Sequence, residues 1–164
     1  MTTHSVLLVE DDENDVFFMQ RAFREADIIT PLHIAKDGRE AIDYLSGNGK
    51  FADREKWPLP CLILMDLKLP YVLGLDVIKW LRSEPAFKSI IVVVLTSSKQ
   101  DADIEKAYAL GANSYLVKPP DVQQLVAMVK RIKEYWIEMN QIGPPCIEFA
   151  RGHAPKLSSG NPPA

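Results

Sequence analysis

Leu62-Ile63-Leu64-Met65-Asp66-Leu67-Lys68-Leu69-Pro70 is the stretch on which the fold turns. Four apolar residues without interruption read as a strand buried on both faces, the habit of parallel sheets. The carboxylate of Asp66 follows directly, and Leu69-Pro70 with Gly74 sets a turn beyond it. The same order recurs on either side. Val6 to Val9 runs into the acids Asp11 and Asp12, Ile90 to Leu95 runs into Thr96, and Tyr115 to Val117 runs into Lys118. If each run is a strand of one parallel sheet, all these polar groups emerge at a single carboxyl edge, where open α/β sheets bind their ligands.

Helical spacing fills the intervals. It is found over residues 14 to 26 through Val16, Met19, Ala22, Phe23 and Ala26, and again in Ala41, Ile42 and Leu45 before Gly47-Asn48-Gly49. A short second strand spans Leu32 to Ala35, and residues 48 to 60 read as a polar loop closed by Trp57-Pro58-Leu59-Pro60. Further helices are expected through Leu75, Val77, Ile78 and Leu81, over 101 to 110 ahead of Gly111, and as one long helix from Val122 through Trp136. Five strand-then-helix units in about 138 residues predict right-handed crossovers and helices on both sheet faces. The expected fold is α/β: a flavodoxin-like, doubly wound, five-stranded parallel sheet of order 2-1-3-4-5. Residues 1–140 form the domain, and 141–164, with five prolines and three glycines from Gly143 onward, are read as a flexible tail.

Composition narrows the function. With 47% apolar and 25% charged residues, a net charge of −3 and a pI near 5.6, the chain lacks the basic face that general nucleic-acid or anionic-membrane binding requires. No apolar run approaches a membrane span and no signal segment is read at the N-terminus. Cys61 and Cys146 form no metal or redox motif, so a reducing cytoplasm is the expected location. His4, His33 and His153 share no ligand spacing.

Three carboxylates, one hydroxyl and one ammonium suit a divalent cation and a phosphoryl group. Carboxylates crowded together repel unless a cation joins them, and a hard ion such as Mg²⁺ takes oxygen ligands. Asp11 and Asp12 also suit a helix N-cap; Asp66 at the matching edge of another strand favours the metal. The Asp66 carboxylate can attack phosphorus and form an acyl phosphate. Thr96 can donate to one phosphoryl oxygen and Lys118 can neutralise another.

Glu10-Asp11-Asp12, Asp66-Leu67-Lys68-Leu69-Pro70 with Gly74, Thr96-Ser97, and Tyr115 ahead of Lys118-Pro119 together resemble the receiver domain of two-component response regulators over residues 5 to 138. The resemblance implies that Asp66 accepts phosphate from a histidine kinase. It implies Mg²⁺ held by Asp12, Asp66 and the Lys68 carbonyl, with Asp11 reaching it partly through water. Thr96 and Tyr115 would form the switch pair, and the apolar face of the first helix would dock the kinase. The long loop before the third strand and Tyr135-Trp136 further resemble the small regulators that pair with bacterial phytochromes. A homodimer through the fourth helix, fifth strand and fifth helix is the matching expectation for assembly, and output is expected to pass by protein contact or phosphorelay.

Tyr71-Val72-Leu73 departs from the receiver pattern by placing three apolar residues beside the site; either one or two of them fold back over the third helix, or the trio forms a partner contact, the reading slightly favoured. Lys68, two residues past the acceptor, places a cation where water would attack and predicts slow loss of phosphate. Acyl-phosphate decay in Lys68→Asn should be faster than in wild type; an equal lifetime removes this role. Two rival chemistries fit less well. A haloacid-dehalogenase phosphatase wants an acid at position 68, and a flavodoxin-type flavin carrier would find its phosphate repelled by Asp11-Asp12-Glu13.

Overall fold

The computed structural model describes residues 4–143 and Pro162–Pro163. Five parallel strands, β1 (Val6–Val9), β2 (Leu32–Ala35), β3 (Leu62–Met65), β4 (Ile91–Thr96) and β5 (Ser114–Val117), form one sheet ordered β2-β1-β3-β4-β5. Helices α1 (Glu13–Glu25), α2 (Gly38–Ser46), α3 (Gly74–Ser83), α4 (Asp101–Ala109) and α5 (Val122–Ile132) make the connections. The expected fold class and strand order are those observed.

Strand alternation divides the core into two layers. Leu7, Val9, Ile63, Met65, Val92 and Val94 face α2, α3 and α4, while Val6, Leu8, Leu62, Leu64, Val93 and Leu95 face α1 and α5. Both faces are covered, so the central strands need apolar residues at every position. Their register aligns Val9 with Met65 and Met65 with Val94, which brings the residues after β1 and β3 to the same edge.

Local chemistry fixes the helix ends. Asp12, Asp37 and Asp121 cap α1, α2 and α5 by accepting backbone N–H groups. Gly47 closes α2 at φ +73°, and the Arg54 guanidinium donates to the last α2 carbonyls, Tyr44 and Leu45, at 2.7 and 2.6 Å.

Two segments differ from the sequence expectation. The stretch after α2 is not simply a polar loop: it makes a 3₁₀ turn over Gly49–Phe51, and Phe51 and Trp57 pack with Tyr44 at ring separations of 5.1 and 6.0 Å. The single long last helix gives way at Lys133 to a π-helical segment, Lys133–Met139, in which the Asn140 N–H donates to Tyr135 at 2.7 Å. In that pitch Trp136 and Ile137 stay against the second core layer while Lys133 donates to the Ala26 carbonyl at the end of α1. Cys61 is buried as a free thiol. His33 is not solitary but packs on Tyr44 and Trp57, and burial pushes its imidazole below the usual range. Cys146, His153 and most of the expected tail lie outside the described residues.

Candidate functional site

The site is assembled at the carboxyl ends of β1, β3, β4 and β5. Glu10 and Asp11 leave β1, Asp66 leaves β3, Thr96 ends β4 and Lys118 follows β5. Backbone bonds tie these exits together: the Asp66 N–H donates to Val9 at 3.0 Å and the Lys118 N–H to Thr96 at 2.8 Å. The β3–α3 connection is tight enough that a Cβ on Gly74 would lie 2.1 Å from the Asp66 carbonyl oxygen.

Lys118 is the hub. Its Nζ donates to Glu10 Oε2 at 2.7 Å, to Asp15 Oδ2 at 2.8 Å and to Asp66 Oδ2 at 3.0 Å. The other Asp66 oxygen, Oδ1, accepts the Leu67 N–H at 2.7 Å and the Lys68 N–H at 3.4 Å. Glu10, Asp11 and Asp66 each offer a carboxylate oxygen within 4.8 Å of the others, a donor set that fits a hard divalent cation.

Asp12 stands elsewhere than the sequence reading had it. Its Oδ1 accepts the Asn14 and Asp15 N–H groups at 2.8 and 3.0 Å, so it caps α1, and Glu10 takes its place beside Asp66. Asp15 was not singled out from the sequence at all. It lies one turn into α1, and its partner Lys118 is 103 residues away.

The electrostatics give the two buried acids different roles. Burial, then the neighbouring Asp66, push the Glu10 carboxyl up to about 8 against the pull of Lys118. Burial would raise Asp66 as well, but Glu10 and Lys118 outweigh it and hold that carboxyl below its usual range. Without a metal near neutral pH the proton therefore sits on Glu10, and Asp66 is the ionised member. Lys118 stays charged: burial opposes its charge, but Asp15, Glu10 and Asp66 together raise it.

Thr96 is fully buried. Its hydroxyl is the smallest of the influences lowering Asp66, yet no partner among the described residues meets it at hydrogen-bond geometry. A buried hydroxyl left in this way marks a place where an oxygen acceptor fits. Tyr115, half-buried on β5, donates to the Ser98 carbonyl at 3.0 Å, and the Ser98 hydroxyl donates to Asp103 at 2.5 Å. Of the apolar trio on the β3–α3 connection, Val72 is buried, whereas Tyr71 (81% exposed, φ +65°) and Leu73 face solvent.

A five-stranded parallel α/β sheet with acids, a hydroxyl and a lysine on one rim is the arrangement expected of a receiver-type signalling domain. Residues 6–130 match the family model of the response regulator receiver domain, and the chain belongs to that family. It is 37% identical over 133 residues to response regulator Rcp1 of Synechocystis sp., covering 81% of this chain and 88% of Rcp1. It is likewise 37% identical over 139 residues to the probable methanogenesis regulatory protein FilR2 of Methanothrix harundinacea, covering 83% and 85%. Among solved structures, the phosphorylated cyanobacterial phytochrome response regulator RcpA superposes with a TM-score of 0.78 at 35% identity, covering 85% of this chain and 98% of RcpA. The Mn²⁺-bound form of Rcp1 superposes at 0.77 and 35%, covering 85% and 99%.

Proposed function

We propose that this response regulator accepts a phosphoryl group from a histidine kinase on Asp66 and signals by protein contact or phosphorelay, in a pathway fed by a phytochrome. The observation that carries the reading is the Lys118 ammonium bonded to both Glu10 and Asp66, with the orphaned Thr96 hydroxyl beside them. The ionised Asp66 is the nucleophile, Lys118 and Thr96 receive phosphoryl oxygens, and Tyr115 reads the change at Thr96. Glu10, Asp11, Asp66 and the Lys68 carbonyl are the expected ligands of Mg²⁺, in place of the set with Asp12. A cation there supplies counter-charge to the phosphoryl oxygens. The phytochrome link is supported by the likeness to RcpA.

Residues 1–140 act as the receiver unit in this reading, with 141–164 as an appendage. A cytoplasmic location fits the free thiol of Cys61, and none of the described helices is long and apolar enough to cross a membrane. Tyr108 on α4 and the groove formed by Leu116, Met128 and Trp136 support a homodimer through α4, β5 and α5.

The test is intact-mass measurement after incubation with Mg²⁺ and acetyl phosphate. One phosphoryl mass on the wild type and none on Asp66→Asn is expected; equal gain on both overturns the assignment. Sizing the same samples reports on assembly.

A pH dependence follows from Glu10. Its proton, lost near pH 8, must leave before the carboxylate binds Mg²⁺, so affinity should rise with pH and level off above about 8. Calorimetry in buffers of different ionisation enthalpy should record release of about one proton per ion at pH 7. Binding without proton release would remove Glu10 from the ligand set.

A further inference from the structure

We propose that Ser98 and Asp103 are positioning residues of the switch: the bond between their side chains fixes the β4–α4 connection, which carries the acceptor for Tyr115 and begins at Thr96. This rests on the phosphoacceptor reading above and adds two residues to it.

A tyrosine hydroxyl holds its ring only as firmly as its own acceptor is held. Tyr115 donates to the backbone carbonyl of Ser98 at 3.0 Å. That carbonyl lies between the end of β4 and the start of α4, outside both. The Ser98 side chain supplies the anchor. Its hydroxyl donates to Asp103 Oδ2 at 2.5 Å and accepts the Gln100 N–H at 3.3 Å, so its donor and an acceptor site are both used. Asp103 stands in the first turn of α4, where its own N–H donates to the Gln100 carbonyl at 3.0 Å. A charged acceptor makes the hydroxyl bond short and strong. Ser98 is buried, so a lost partner is not readily replaced by water.

The helix α4 needs such a tie. Of its nine residues only Ala107 is buried, and the Gln100 side chain does not cap its N-terminus. Tyr115 packs against the core layer that contains Ala107. The phenol also lies in the field of two acids: burial, then the charges of Asp103 and Asp66, push it above the usual range against the pull of Ser98. Tyr115 is therefore close enough to feel the latch and the phosphoacceptor together.

Binding at Thr96 draws on the same order. Thr96 stands two residues before Ser98, and its carbonyl accepts the Lys118 N–H at 2.8 Å. With Ser98 latched, a phosphoryl oxygen that bonds the Thr96 hydroxyl meets a connection fixed on both sides, and little freedom is left to lose. Without the latch, the cost of ordering that connection opposes binding.

The test labels the full chain with 3-fluorotyrosine and assigns the Tyr115 ¹⁹F resonance among the five tyrosines with Tyr115→Phe. In Ser98→Ala and in Asp103→Ala that resonance should move towards the position of free fluorotyrosine, with no phosphoryl group added. Affinity for beryllofluoride with Mg²⁺, read by calorimetry, should fall about fivefold in each. The double variant should fall no further, because the two side chains act through one bond. Asp101→Ala removes an exposed acid from the same turn of α4 and should leave both readouts unchanged. An unmoved resonance, an unchanged affinity, additive losses in the double variant or an equal effect of Asp101→Ala each overturns the proposal. If wild type itself does not bind beryllofluoride, the phosphoacceptor reading fails instead, and the Tyr115 resonance alone decides whether the latch holds the ring.

Discussion

Lys118→Met is expected to slow phosphoryl loading of Asp66 by about 10²- to 10³-fold, the usual cost of removing one preorganised donor to developing charge. The substitution keeps the length and apolar packing of the stem and removes only the ammonium. It also strips the shared cation from Glu10 and Asp66, both nearly buried, so the folded state should lose about 3 kcal/mol at pH 8. The sign of the pH dependence follows from Glu10. Its carboxyl is already raised to about 8 in the native protein, and losing Lys118 raises it further. The native state of the variant then holds a proton that the unfolded chain has released, so its stability falls as pH rises from the ordinary carboxylate range. Acetyl phosphate kinetics by intact mass and urea denaturation at pH 6 and pH 8 measure the two effects. Wild-type loading by a folded Lys118→Met protein would contradict the role given to the ammonium.

Gly74→Ala should be strongly damaging. Its Cβ would stand 2.1 Å from the Asp66 carbonyl oxygen and 2.8 Å from Leu67 Cα, both backbone atoms with little room to move. The β3–α3 connection has to shift, at a cost of about 3 kcal/mol or more, and it carries Asp66 with it. Gly49→Ala is the contrast. Nothing lies within 4 Å of its Cβ, and only its φ of +54° resists the change, for about 1 kcal/mol. Urea titration of both variants separates steric from conformational cost. Equal, small losses would mean that the loop is not pinned at Asp66.

The architecture was legible because parallel strands buried on both faces leave continuous apolar runs, and the runs at Val6–Val9, Leu62–Met65 and Ile90–Leu95 each end at a polar residue. Asp66, Thr96 and Lys118 could be picked out because each stands where such a run ends. The acids after β1 were harder. Glu10, Asp11 and Asp12 are consecutive, and composition alone does not say which turns towards β3 and which bends into the helix cap. Asp15 was out of reach for a different reason: its carboxylate acts through a contact made only when β5 returns beside β4 and Lys118 swings under α1. The segment at 48–60 looked polar by count, but two aromatic residues decide its packing. Phe51 and Trp57 lie 5.2 Å apart and seal the edge of the sheet around Tyr44. The change of pitch at Lys133 left no trace in the i, i+3, i+4 spacing, which continues to Trp136.

Borohydride reduces an aspartyl phosphate to homoserine, and tandem mass spectrometry then locates the converted residue. Applied to the full chain after loading with acetyl phosphate and Mg²⁺, it should find homoserine at position 66 and at no other acid of the rim. Conversion at position 11 or 12, or an intact Asp66 in protein that has gained phosphate, would contradict the acceptor role at the centre of this mechanism.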